Sequence, residues 1–208
     1  MTQFRFNPKF LVPVFVLSML FIYFITPVTA ADVASAEKHH AVFNEKEELQ
    51  RPTGYREWVY IGSPLTPNDM NDGKAAFPEF HNVYIDPVSW EHWKMAGEFP
   101  DKTIIVKELV DVGSKKTVSG NGYFQGEFIG LEAMVKNKKQ FSDAPGHWGF
   151  FRFTIEDSPH LHKSAKAQAH QNCLTCHQSN AATDLVFTQY YPVLRASKAM
   201  GEAGTGGK

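Results

Sequence analysis

Apolar residues run almost unbroken from Phe10 to Ile25, interrupted by Pro13 and Ser18 and preceded by Arg5 and Lys9. The run is short for a membrane span and leads into Pro27-Val28-Thr29-Ala30, which has the small residues of a cleavage site. Residues 1–30 are therefore expected to be a signal peptide removed on export, leaving a soluble chain with no stable membrane insertion. From Ala31 to Gln50 the sequence is polar and charged without clear periodicity, which predicts a flexible lead-in over 31–50.

The alternation then changes character. Tyr55 to Ile61 groups aromatic and β-branched residues that suit either a helix or a strand, ahead of a turn-rich stretch from Gly62 to Gly73. Val83-Tyr84-Ile85 predicts a short strand, and Asp86-Pro87 supply a cap and a first-turn proline for a helix that should stop at Gly97. Thr103–Val110, Gly122–Leu131 and Trp148–Ile155 are rich in β-branched and aromatic residues and predict strands. Their connections, 112–120 and 143–146, are too short for the crossovers that parallel strands require, so antiparallel pairing follows. Ala165–Asn172 and Thr188–Ala199 predict helices, the second started or bent by Pro192. The expected fold is α+β: one predominantly antiparallel β-sheet domain over 51–200 with flanking helices, a cysteine-bearing helix near the C-terminus, and a flexible glycine-rich tail over 201–208.

Composition narrows the function. With 43% hydrophobic and 13% aromatic residues, 208 residues hold enough apolar material for one ordinary core. Basic and acidic side chains number 21 and 22, so no nucleic-acid partner is expected. Losing Arg5 and Lys9 with the signal peptide leaves the chain nearly neutral. Two cysteines, Cys173 and Cys176, cannot build a disulfide framework, so apolar packing or a bound cofactor has to hold this exported domain.

Both cysteines lie in Cys173-Leu174-Thr175-Cys176-His177. Two thiols three positions apart on one helical turn reach both vinyl groups of a haem, and His177 then falls under the iron as its axial ligand. A redox-active dithiol shares the spacing but usually opens a βαβ unit; half of a zinc site would need further ligands, such as His160, His162 or His170. Export and the adjoining histidine favour covalent haem c. For the opposite face of the iron, Met70, Met95, Met134 and Met200 lie in no revealing context and are expected to pack, while His81, His92 and His147 suit structural hydrogen bonds. That face is expected to be open. Phe77, Phe80, Phe150, Phe151 and Phe153 are candidates to line a dry pocket over it, although most of the 17 Phe belong to the core.

Several further segments carry a resemblance. Tyr55-Arg56-Glu57-Trp58, Asn71-Asp72-Gly73-Lys74, Tyr84-Ile85-Asp86-Pro87, Ser119-Gly120-Asn121-Gly122-Tyr123, Gly130-Leu131-Glu132-Ala133, Thr183-Asp184-Leu185-Val186-Phe187 and Tyr191-Pro192-Val193-Leu194-Arg195 join the cysteine motif. From about Arg51 to Met200 the chain resembles the cytochrome P-460 family, lysine-modified c-type haem enzymes of ammonia- and methane-oxidising bacteria. The resemblance implies a periplasmic homodimer whose haem carries an extra covalent bond from a lysine nitrogen to the macrocycle. Lys74 matches that lysine, although by its own context it is an exposed turn residue. Such a bond perturbs the conjugation and shifts the iron's redox properties beyond what the axial ligand sets.

Glu132 matches the position at which hydroxylamine-oxidising members carry a distal carboxylate, the group a general base requires. Leu131 and Ala133 beside it suggest an apolar setting that would raise its proton affinity; the alternative is a solvated glutamate at a strand end. The resemblance thus implies hydroxylamine oxidation at a five-coordinate haem, giving nitrous oxide or, with oxygen, nitrite. Glu132 and Lys74 would take catalytic roles, and a small c-type cytochrome would accept the electrons. A rival is a non-enzymatic nitric oxide-binding protein like cytochrome c′-beta, with the same fold and His-ligated haem but no lysine bond. A simple electron carrier, with Met200 as a permanent sixth ligand, is a third.

Overall fold

The computed structural model describes residues 40–156 and 158–202, so the expected signal peptide, most of the lead-in and the last six residues lie outside it. The strands are β1 (Leu49–Gln50), β2 (Val59–Gly62), β3 (Phe80–Ile85), β4 (Ile104–Val112), β5 (Lys116–Thr117), β6 (Gly120–Asn121), β7 (Gln125–Lys136), β8 (Trp148–Arg152) and β9 (Ser164–Ala165). Three α-helices accompany them among the described residues: α1 (Pro87–Ala96), α2 (His170–Asn180) and α3 (Pro192–Glu202). A five-stranded sheet in the order β2-β3-β4-β7-β8 dominates, and every pair in it is antiparallel. The β5-β6 hairpin fills the connection between β4 and β7. The expected α+β class with a β-dominant antiparallel sheet is therefore observed.

Local signals decide α1. The Asp86 side chain accepts the backbone N–H of Ser89 at 3.0 Å, Pro87 occupies the first turn, and Gly97, at φ 67°, closes the helix by donating its N–H to the Trp93 carbonyl. The second Asp86 oxygen accepts the N–H of Ile104 at 3.0 Å, so one buried carboxylate fixes both the helix start and the entry to β4.

Elsewhere long-range pairing overrides local preference. Ala165–Asn172 is not a helix: Ala165 and Ser164 pair with Leu49 and Gln50, and α2 begins only at His170. Leu49, inside the stretch expected to be a lead-in, is fully buried. Tyr55–Ile61 divides into a 3-10 turn over Tyr55–Glu57 and then β2, and Thr188–Ala199 divides into a 3-10 turn over Thr188–Tyr190 and then α3, which Pro192 starts. The strand expected over 122–131 runs instead from Gln125 to Lys136, and the one expected over 148–155 ends at Arg152.

The sheet has two packed faces. On one, the cross-strand row Ile85, Ile105, Met134 and Phe150 joins Trp93, Trp148, Leu174 and Leu194 in a core beneath the helices. On the other, Val106, Ala133 and Phe151 pack with Leu49, Leu131 and Phe153. Trp93 of α1 stacks on Phe99 at 4.3 Å and ties the helix to α3 by donating its indole N–H to the Leu194 carbonyl at 3.1 Å and to Ser197 Oγ at 2.9 Å.

Candidate functional site

The cysteine motif lies within α2. Cys173 is half-buried, Cys176 is exposed, and both thiols are free. Among the described side chains of the helix Leu174 alone is fully buried in the core, with Cys173 packed partly against it, which leaves the turn that carries the thiols open to one side. Burial, with the nearby Glu132 carboxylate adding to it, pushes the Cys173 thiol above its ordinary value.

His177 follows on the same helix, wedged between the rings of Phe150 and Phe187, each 4.7 Å away between centroids. Its Nδ1 lies 2.7 Å from the Leu185 carbonyl oxygen. A carbonyl only accepts, so Nδ1 carries the hydrogen and the Nε2 lone pair is left for a metal. Burial lowers the pKa of His177, which favours the neutral imidazole that a metal requires.

The Leu185 carbonyl is aimed by an unusual stretch of backbone. Asp184 and Leu185 both hold positive φ, 45° and 61°, a region that non-glycine residues occupy only when their surroundings impose it. Here a bridge between Thr183 and Val186 closes the turn, and the Asp184 carboxylate accepts the indole N–H of Trp148 at 3.2 Å and the ammonium of Lys136. Gly146 packs so closely that a Cβ there would come within 2.8 Å of Asp184 Oδ1.

Glu132 stands on the sheet face that α2 covers. Strand alternation puts it on the side of Met134 and Lys136, one row from the apolar core row. Its neighbours Leu131 and Ala133 point to the opposite core, so the apolar setting expected from them is absent. What meets the carboxylate is Lys107 Nζ at 2.6 Å, from the directly paired position on β4. Glu132 is also in mid-strand and part-buried, not at a solvated strand end. Lys107 is a further residue of this site, and its available signal was the charged pair Lys107-Glu108 set between the apolar residues Ile104–Val106 and Leu109-Val110 of one strand.

The same Lys107 ammonium sits 4.9 Å over the ring centroid of Phe77, in the loop between β2 and β3. That loop carries Lys74 on an exposed turn in which the Asn68 side chain and backbone carbonyl cap Ala75 and Gly73. Asp69 anchors it to the β5-β6 region through Lys115 Nζ at 2.6 Å and Tyr123 OH at 2.9 Å. Lys74 thus belongs to a loop held against the Glu132–Lys107 pair through Phe77, while its own side chain faces solvent.

Other candidates fall elsewhere. Phe151 and Phe153 belong to the core on the opposite face, and of the five phenylalanines only Phe150 touches His177. Met134 packs as expected, whereas Met70 and Met95 do not, being 74% and 81% exposed. His147 Nδ1 lies 3.1 Å from the Phe141 carbonyl oxygen, and His81 lies on the Lys107 face with Nε2 3.5 Å from Glu79. Among the described residues no cluster of three or more His, Cys, Asp or Glu side chains is arranged to hold a metal ion. None of the described helices is long and apolar enough to cross a membrane.

Two free thiols one helical turn apart, followed by a part-buried imidazole with one nitrogen committed and the other free, fit a thioether-bound haem with His177 as the residue that would ligate its iron. The cytochrome P460 family model matches residues 52–188, which include Lys74, Glu132, Cys173, Cys176 and His177. Among curated proteins none matches.

Proposed function

This chain belongs to the cytochrome P460 family and is a haem-binding cytochrome, and on that footing we propose that it is a periplasmic c-type haem oxidoreductase that oxidises hydroxylamine, giving nitrous oxide or, with oxygen, nitrite. Haem, when bound, supplies the iron that takes electrons from the substrate. Cys173 and Cys176 would hold it through thioethers, His177 through Nε2, and Lys74 through a bond from its side-chain nitrogen to the macrocycle. The observation that carries this reading is the imidazole of His177, held by the Leu185 carbonyl with Nε2 uncommitted and Glu132 on the sheet face opposite its helix.

Oxidising hydroxylamine removes protons along with electrons, so a base beside the bound substrate is required. Glu132 is the strand carboxylate that faces the helix bearing the thiols and His177. Lys107 holds one of its oxygens at 2.6 Å and leaves the other to accept a proton. The lysine therefore fixes where the base sits. Electrons would leave to a soluble acceptor such as a small c-type cytochrome, and the working form would be a homodimer.

Peptide mapping of the purified protein tests the assignment together with a turnover assay. The expected result is Lys74 recovered joined to the haem-bearing Cys173–His177 peptide, a ferrous spectrum displaced from that of ordinary haem c, and reduction of an acceptor on adding hydroxylamine. Lys74 recovered free, with nitric oxide binding and no turnover, would assign the chain to gas binding of the cytochrome c′-beta kind.

A further inference from the structure

We propose that Asp184 is a positioning residue for the axial histidine: it holds the Leu185 carbonyl on His177 Nδ1 and thereby sets the electron-donating strength of the iron ligand. This rests on the reading of His177 as that ligand. Three observations meet at this point. The carbonyl that receives the imidazole N–H belongs to the second of two consecutive non-glycine residues at positive φ, a conformation the chain does not hold unaided. The first of them, Asp184, is gripped at each carboxylate oxygen by a different strand, Trp148 Nε1 from β8 and Lys136 Nζ from β7. Lys136 is 12% exposed at its side chain and lies 5.6 Å over the Trp148 ring, so the grip is largely shielded from water.

A backbone acceptor on the far nitrogen of a ligating histidine raises its basicity, and a more basic ligand stabilises ferric over ferrous iron. Releasing Asp184 lets the turn relax and the carbonyl drift, which weakens the ligand. The reduction potential should then rise.

The test is the reduction potential of the substrate-free holoprotein, with the iron–histidine stretch measured by resonance Raman on the same samples. Asp184→Ala should move the ferric-to-ferrous ratio about tenfold towards ferrous, a rise of about 59 mV for one electron, and should lower the stretching frequency. Asp184→Asn keeps an acceptor for Trp148 and tolerates positive φ, so it should fall between Ala and the unaltered protein. Lys136→Met separates positioning from simple charge. Through-space electrostatics demands that losing the cation lower the potential, opposite in sign to losing the anion, whereas loss of the grip raises it in both cases. Shifts of opposite sign, or an unchanged potential and stretch in all three variants, would overturn the inference while leaving the proposed function intact. Absence of an iron–His177 bond in the unaltered protein would instead overturn the function reading itself. Should Asp184→Ala fail to accumulate, the Asn and Met variants still decide the sign.

Discussion

Glu132 and Glu108 are adjacent on the register ladder by strand pairing, yet they serve different faces. Glu132, ion-paired with Lys107, is the base in the proposed reaction, so Glu132→Ala should lower hydroxylamine turnover on the order of 10²-fold or more while the haem stays attached. Turnover within twofold of the unaltered protein, measured at saturating hydroxylamine, would remove its role. Glu108 is buried on the other face, where it accepts from Tyr55 OH at 2.9 Å, from Asn82 Nδ2 at 3.2 Å and from the Arg56 guanidinium. Glu108→Ala strands those donors. Because Arg56 is 64% exposed at its side chain and can turn to water, the cost should be about 1–3 kcal/mol, read as a lower urea midpoint at unchanged slope.

Single elements combine several duties. Along β7, Glu132, Met134 and Lys136 face the same way and respectively meet Lys107, the core beneath the helices, and Asp184. One strand therefore orders both sides of the site, and its period of two is the cause. The neighbouring helix α2 is held differently: among its described side chains Leu174 alone is fully buried, with Cys173 and His177 part-buried, so apolar burial contributes little to its anchorage. Covalent attachment should supply the rest. Amide hydrogen exchange across 171–180 is expected to be slow in the haem-bearing protein and faster by at least tenfold in the Cys173→Ala/Cys176→Ala variant, while β4 and β7 remain protected in both. Equal exchange in the two would show that sheet contacts suffice for α2.

For the molecule as a whole, the absence of a disulfide among the described cysteines leaves stability to the two cores and to protonation of buried phenols. Burial pushes Tyr191 up to about 12, and burial with the Glu108 contact drives Tyr55 upward too. A phenol whose pKa is raised on folding binds its proton more tightly in the native state. Stability is therefore complete below the ordinary value near 10.0 and declines as pH climbs from there towards 12. The melting temperature should be flat from neutrality to about pH 9 and then fall, and Tyr191→Phe should remove part of that alkaline decline, on the order of 2 kcal/mol. A decline of identical size in Tyr191→Phe would locate the effect elsewhere.

Contiguous chemistry was legible from the residue order. The Cys173–His177 motif is one helical turn, the Asp86-Pro87 start and Gly97 stop of α1 are local caps, and short connections forced antiparallel strands; each depends on atoms a few residues apart. Lys107 beside Glu132, the Leu185 carbonyl on His177 and the clasp of Lys136 and Trp148 on Asp184 were not legible. So too with β9, where a segment that favours a helix pairs with Leu49 and Gln50 instead. These contacts join positions 8 to 116 residues apart through strand register, side-chain alternation and a backbone turn held away from its own preference. Local sequence encodes which groups can do chemistry because bonding geometry and capping act over a turn or two. Which of those groups meet is settled only when the sheet and its two cores assemble, since burial is a property of the whole packed chain.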